Sequence, residues 1–490
     1  MSLSETFPLL EDLPDVLRTY LQEEPVSEER LPRKVEYSPP VQEVLDEFLR
    51  LSHWNPVEVV TPTKASRDRE QKAFFHAYKK EEVYEPCFDY VCAEYDVLVQ
   101  RSTLEKVQRT VSDIATQSAQ ESIICQALQL AIEDQLATCT LIEALQDTTT
   151  TLVQREERIR DVFDMKYPPV DPLLAEDAKG EYRRLQQGSS DTFQKELSEV
   201  EVAQLESTDV MYNADDIRNA LEWVLQSYGL LQQEPGDGKF TVSICDEVTS
   251  IDVRPYDSGG PVILIPRGRK VTGKQLLRLC VHEIEGHVLQ YANAQSVLGD
   301  AHRVFTLSDE TFQEGLALFR EDAFLQNFFG EDRRPLPFYI LAVTFIEDGQ
   351  EEDKSFSAVF RQQVNLLRNI DSSVWPMFFS QWDENISHEE NCLLQAWLNT
   401  YRVMRGHVDM RNPLRFANRK DVAYFRGMRW VELLERLRRT SVVEGAVAST
   451  DVFHLLAPFA LQEADLAYPF QMRTGQYARL LLRELEAREK

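Results

Sequence analysis

The chain has 490 residues, with 82 acidic and 53 basic side chains and a formal charge of −29. That much negative charge repels nucleic-acid phosphates unless the cations gather in one patch. No long basic run gathers them, so no nucleic-acid partner is expected. With 43% hydrophobic residues the chain can bury a substantial core, and its length suggests one large or two ordinary domains.

Residues 1–40 read as a peripheral N-terminal extension, with one short amphipathic helix near Asp15 to Gln22 followed by a proline-punctuated acidic stretch. The first residues lack a basic region followed by an apolar core, so no secretory signal is expected and a cytoplasmic location is the default. No stretch reaches the roughly eighteen apolar residues of a membrane span. From 41 to 490 the chain reads as one helix-rich domain. Helical spacing marks 41–52, 66–82 and 94–160, the last with Ile123, Ala127, Leu130 and Leu136 on its apolar stripe. Strand signals come later, in Phe240 to Ile244, Ile251 to Arg254 and Val262 to Ile265, separated by loops rich in Gly, Asp and Pro. A helix from about Thr272 to Ala292 follows, docked by Leu277, Val281, Ile284 and Val288, with Cys280 on its buried face. Helix-rich sequence then resumes, with Trp375, Trp382, Trp397 and Trp430 as expected core anchors and an amphipathic helix over 474–489. Seven cysteines (87, 92, 125, 139, 245, 280 and 392) are scattered without C-x-x-C spacing, which argues against a disulfide framework and a cysteine-zinc site.

The strongest chemical signal is His282-Glu283-Ile284-Glu285-Gly286-His287, which places two of only eight histidines within one hexapeptide. The pattern is H-E-x-x-x-H, one residue longer than the familiar zinc motif. On a regular helix five steps of roughly 100° leave the imidazoles roughly 140° apart, too far to share an ion. A local i→i+5 turn returns them to nearly one face, and Gly286 eases that distortion. His282 and His287 are therefore candidate ligands, with Glu283 as the base that activates water at the ion. Glu314, on the helical segment that runs through Phe319, Phe324 and Leu325, is the third candidate ligand. Two His and one Glu leave a fourth position open, the pattern of a catalytic zinc site. Seven residues on, Glu321 is a candidate to orient a ligand imidazole. The other histidines, at 53, 76, 302, 388, 407 and 454, show no ligand spacing. Only His407, beside the Arg402 to Gly406 block, is a candidate for a cleft role. Strands, an H-E helix and then a glutamate helix make an α+β, predominantly α-helical fold with a zincin-like metallopeptidase core (about 238–330), in which a small β-sheet precedes the metal-binding helix.

The hexapeptide, followed by Gln313-Glu314-Gly315-Leu316-Ala317, resembles the QEGLA-motif proteins, the flavohemoglobin expression-modulating and tyrosine carboxypeptidase-like zinc metallocarboxypeptidases. Further blocks resemble that family in its order: Glu85-Pro86-Cys87-Phe88-Asp89-Tyr90 its P-x-F-x-Y motif, Lys166-Tyr167-Pro168-Pro169 its tyrosine-glycine-proline segment, Arg402-Val403-Met404-Arg405-Gly406 its R-V-x-R-G block, and Lys420 to Gly427 its K-D-x-x-Y-x-x-G block. The resemblance implies a zinc carboxypeptidase with ligands His282, His287 and Glu314 and base Glu283, removing a tyrosine- or glutamate-like residue from a peptide or protein C-terminus. The chain departs from the family at Glu285, where a small residue is usual, and at Asn293-Ala294, where asparagine-glycine is usual.

A carboxypeptidase needs a cation for the substrate carboxylate. Within the segment about 395–430 the candidates are Arg402, Arg405 and Lys420, with Tyr424 as a further donor. Arginine can hold a carboxylate with two parallel hydrogen bonds, whereas lysine is a point charge. Arg267, Arg269 and Lys270 add local positive charge. The net acidity favours a less acidic peptide over an acidic tail. Two alternatives stay open: a metalloendopeptidase, and a non-catalytic zinc-containing interaction protein.

Overall fold

The computed structural model describes residues 37–490 except 52, 91–95, 117–118, 189–194, 235–237, 247, 249, 255–259, 302, 305–309, 332–335, 348–352, 372–385, 412, 414–415, 433–471 and 490. The expected helix near Asp15 to Gln22 lies outside the described residues, as do Trp375 and Trp382. The fold is mostly helical with one three-stranded sheet. Among the described residues no helix is long and apolar enough to cross a membrane. The chain forms two compact units, one from Tyr37–Ser189 and Leu336–Phe425, the other containing Ser190–Pro335 and Arg426–Lys490.

Among the described residues the first unit has helices and no strand: α1 (Pro39–Leu49), α2 (Lys64–Tyr78), α3 (Val97–Asp113), α4 (Ala119–Gln146), α5 (Leu152–Lys166), α6 (Pro172–Gln187) and, after the second crossing, α12 (Phe338–Glu347), α13 (Phe356–Arg368) and α14 (His388–Val403). Side-chain caps start several of them. Thr151 and Gln154 exchange hydrogen bonds with each other's backbone at the start of α5, and Ser387 with Glu390 at the start of α14, pairing donors that a helix leaves unsatisfied. Trp397, 2% exposed, centres the core between Phe74 and Phe356 with ring centroids 5.1 and 4.8 Å away. On α4 the buried stripe is Ile124, Leu128, Ala131 and Ile132, while Leu130 is 45% exposed. Of the expected stripe Ala127 is buried, 4% exposed, and Leu130 is not, because a helix this apolar on several faces offers more than one helical register.

The second unit begins with α7 (Glu199–Glu206) and α8 (Ala214–Ser227), then β1 (Thr241–Cys245), β2 (Asp252–Arg254) and β3 (Val262–Pro266) in the order β1-β3-β2. The β1–β3 pair is parallel and the β2–β3 pair antiparallel, so β2 is an edge. Thr272 caps the next helix, accepting from the Gln275 N–H while the Gln275 amide oxygen accepts from the Thr272 N–H. That helix is continuous through α9 (Gly273–Leu279), a π-helical segment (Cys280–Val288) and α10 (Leu289–Leu298). α11 (Glu310–Phe329) packs along it, and α15 (Arg473–Glu489) completes the unit. Leu277, Cys280, Val281, Ile284 and Val288 have no exposed surface and share a core with Phe240, Ile263, Phe324, Leu481 and Leu482. The six described cysteines are free thiols.

Candidate metal centre

The spacing of the hexapeptide acquires its physical meaning in the π-helical segment. The Leu289 N–H donates to the Ile284 carbonyl, an i→i+5 bond that accommodates the extra residue. As a result the His282 and His287 rings stand 5.0 Å apart at 84°. Glu314 approaches both from α11: its Oε2 lies 3.6 Å from Nε2 of His282 and 3.6 Å from Nε2 of His287. The three ligand atoms fall within 4.8 Å of one another. A separation of 3.6 Å is long for a hydrogen bond. It is close to the edge of a tetrahedron, about 3.4 Å when two bonds of about 2.0–2.2 Å meet at one zinc ion. Two imidazoles and one carboxylate so arranged fit zinc.

His282 is held from its other nitrogen. Nδ1 lies 3.4 Å from Glu321 Oε2, and Glu321 Oε1 accepts from Arg278 Nε at 2.6 Å. Arg278 is one helical turn before His282, and Glu321 is two turns after Glu314, so the carboxylates of α11 reach opposite edges of a single ring. A carboxylate at Nδ1 fixes the tautomer that leaves Nε2 as the ligand. Burial would lower the His282 pKa, but Glu314 and Glu321 outweigh it and push it up to about 10. Glu283 is 8% exposed, and burial holds its carboxyl above the usual range despite both imidazoles.

Glycines explain how the two helices come close enough. A Cβ at Gly286 would stand 2.7 Å from the Ala317 Cβ, and one at Gly315 would stand 2.0 Å from the Gly427 carbonyl carbon. Gly286 is therefore required by the close approach of α11, a reason sequence reading had assigned to the helix distortion alone. Two blocks of the resemblance thus meet in the second unit, the hexapeptide and the Glu314-Gly315-Leu316-Ala317 run, with Gly427 against the latter.

Glu285, on the same segment, has no exposed surface. Its Oε1 accepts from Tyr228 Oη at 3.0 Å and from the Thr474 N–H at 2.9 Å. Burial pushes its pKa up to about 7, against those two donors and Arg320. Among the basic candidates of this unit, Arg267 pairs with Asp246 at 3.1 Å. Arg269 follows β3, lies within electrostatic reach of Glu283, and is held below the usual arginine value by burial.

The proposed carboxylate-binding residues belong to the first unit. Arg402 Nη1 donates to Tyr339 Oη at 3.1 Å and to Asp421 Oδ1 at 3.2 Å, while Arg405 Nη2 donates to Asp421 Oδ2 at 3.0 Å. Tyr339 foremost, and then Asp421, hold the Arg402 guanidinium above its ordinary value. Lys420 Nζ lies over the Tyr424 ring, 5.4 Å from its centroid. His407 is 2% exposed, with Nδ1 3.3 Å from Glu156 Oε1 and Nε2 3.0 Å from the Phe416 carbonyl. It is a packed structural histidine. Sequence reading missed Arg278, whose only signal is its i, i+4 relation to His282, and Thr474, for which there is none.

No family model and no curated protein matches the chain. A solved structure from Colwellia psychrerythraea, described as a "putative lipoprotein", aligns over 91% of this chain and 99% of its own at 9% identity, with a TM-score of 0.41.

Proposed function

We propose that the protein is a zinc-dependent carboxypeptidase with a zincin-like core, related to the QEGLA-motif metallocarboxypeptidases, and that it removes one residue from the C-terminus of a peptide or protein. The observation that carries the reading is the convergence of His282, His287 and Glu314 within 4.8 Å, with a buried glutamate next in sequence to the first ligand. Three protein ligands leave one coordination position for chemistry. Bound zinc supplies Lewis acidity, which polarises a carbonyl and brings the pKa of water toward about 7.

The chain's own groups do the rest. Glu283, its pKa raised by burial, takes a proton from the attacking water on a carboxylate oxygen and returns it to the leaving amine nitrogen. Glu321, charge-balanced by Arg278, keeps His282 oriented. Two guanidiniums, Arg402 and Arg405, share the single carboxylate of Asp421. The cluster keeps one net positive charge, and by the resemblance of their blocks Arg402, Arg405, Lys420 and Tyr424 are the first unit's candidates for binding a carboxylate.

The test is to incubate zinc-loaded protein with a C-terminally randomised peptide library and an amidated copy, following products by mass spectrometry. Loss of one terminal residue from the free-acid library only, abolished in Glu283→Gln, is expected. Internal cuts in both libraries identify an endopeptidase instead, and silence in both rejects the reading. Glu321→Gln should keep the fold and weaken zinc binding by about 10–100-fold in a chelator competition.

A further inference from the structure

Glu285 is a carboxylate placed in an apolar layer. Cys280, Val281, Ile284 and Val288 around it in sequence have no exposed surface, and neither does Glu285. A buried carboxylate is costly unless its oxygens receive hydrogen bonds. Both donors reach Glu285 from outside its own helix. Tyr228 stands just beyond the end of α8, and Thr474 offers its N–H from the first turn of α15. First-turn N–H groups have no partner within their helix, and the helix dipole favours negative charge there. The Arg473 N–H adds a longer contact to the same Tyr228 hydroxyl at 3.5 Å. One residue on, a Cβ at Gly475 would meet the Phe328 ring at 2.2 Å, so α15 enters the core with no room for a larger side chain.

We infer that Glu285 is a positioning residue: by tying the first turn of α15 to the π-helical segment, it holds the register in which His282 and His287 face one ion. A π-turn is a local distortion that persists where its surroundings over-determine it. α11 supplies one constraint through Gly286 and Ala317, and α15 supplies the second through Glu285. The link to metal affinity rests on the proposed zinc site, whereas the tie itself does not.

The experiment compares full-length wild type with Glu285→Ala, Glu285→Gln and Tyr228→Phe. It measures hydrogen exchange over 280–289 and 473–485 without metal, zinc affinity by chelator competition, and the visible spectrum of the cobalt form. Losing a hydrogen-bonded carboxylate should speed exchange in both segments roughly tenfold in Glu285→Ala. Zinc affinity should fall about 10–100-fold and the cobalt spectrum should change. Glu285→Gln, which still accepts both hydrogen bonds, should restore all three. Tyr228→Phe removes one donor only, so it keeps the test decisive if Glu285→Ala does not fold, and it should shift each readout in the same direction by less. Unchanged exchange over 280–289 in a folded variant overturns the inference. Faster exchange confined to 473–485 with unaltered zinc affinity overturns it too, since Glu285 then only anchors α15. Wild type that takes up no zinc rejects the proposed function, and the exchange comparison still decides the tie.

Discussion

Gly315 and Gly180 both lie inside helices, yet substitution should move them in opposite directions. At Gly315 a methyl group would collide with the Gly427 backbone 2.0 Å away, and backbone cannot step aside as a side chain can. Gly315→Ala should therefore separate α11 from its neighbour and destabilise the protein by several kcal/mol. Gly180, on α6, has nothing within 4 Å of its would-be Cβ. Gly180→Ala should add about 0.5–1 kcal/mol by restricting the unfolded chain. Denaturant midpoints of the two variants test both signs. The same contrast marks what could be read from the chain. The spacing of His282 and His287 announces a local i→i+5 turn because only near neighbours enter that argument. The need for glycine at 286 and 315 depends on Ala317 and Gly427, which no local pattern brings near.

Among elements, the join between α4 and α5 is tied by Arg155, which donates to the Ala144 and Leu145 carbonyls, and by Asp147. The Asp147 carboxylate accepts from the Thr149 N–H at 2.8 Å, from the Thr149 hydroxyl at 2.7 Å, from the Thr150 hydroxyl at 3.1 Å and from Arg158 Nη1 at 3.2 Å. The Thr149 hydroxyl and N–H lead in pulling its pKa from 3.8 to about 2. A depressed carboxylate pKa stabilises the fold above the unfolded value and loses that contribution as pH falls through the folded one. Asp147→Asn should thus lower the thermal midpoint at neutral pH, and the gap to wild type should close between about pH 4 and 2. A gap constant with pH would assign the join to other contacts. Element existence was legible from periodicity: the stripe Leu277, Val281, Ile284 and Val288, and three short apolar runs that became β1, β2 and β3. Face assignment on α4 was less so, because apolar residues on several sides let Leu130 pass for a core position.

At the scale of the whole molecule, each compact unit is assembled from separate stretches of chain; Pro335 and Pro337 punctuate one crossing, but no local pattern tells that the chain changes unit there. The π-helical segment shares its core with α15, which contributes Ala478, Leu481, Leu482 and Leu485, each 5% exposed or less. Truncating a single buried leucine costs about 2–5 kcal/mol, and net stability is about 5–15 kcal/mol. A chain ending at 471 should therefore fail to reach the native state, seen as lost near-ultraviolet dichroism and loss of a cooperative melt. A native-like melt would show that the remaining core suffices.

This arrangement also sets a timetable for synthesis. The His282 to His287 stretch leaves the ribosome roughly 180 residues before α15, a delay of about 10–40 s at ordinary elongation rates. During that interval its apolar face has no finished bed to lie in, and Glu285 has no Thr474 to receive. The nascent chain therefore carries this apolar face uncovered until α15 has emerged and can close over it.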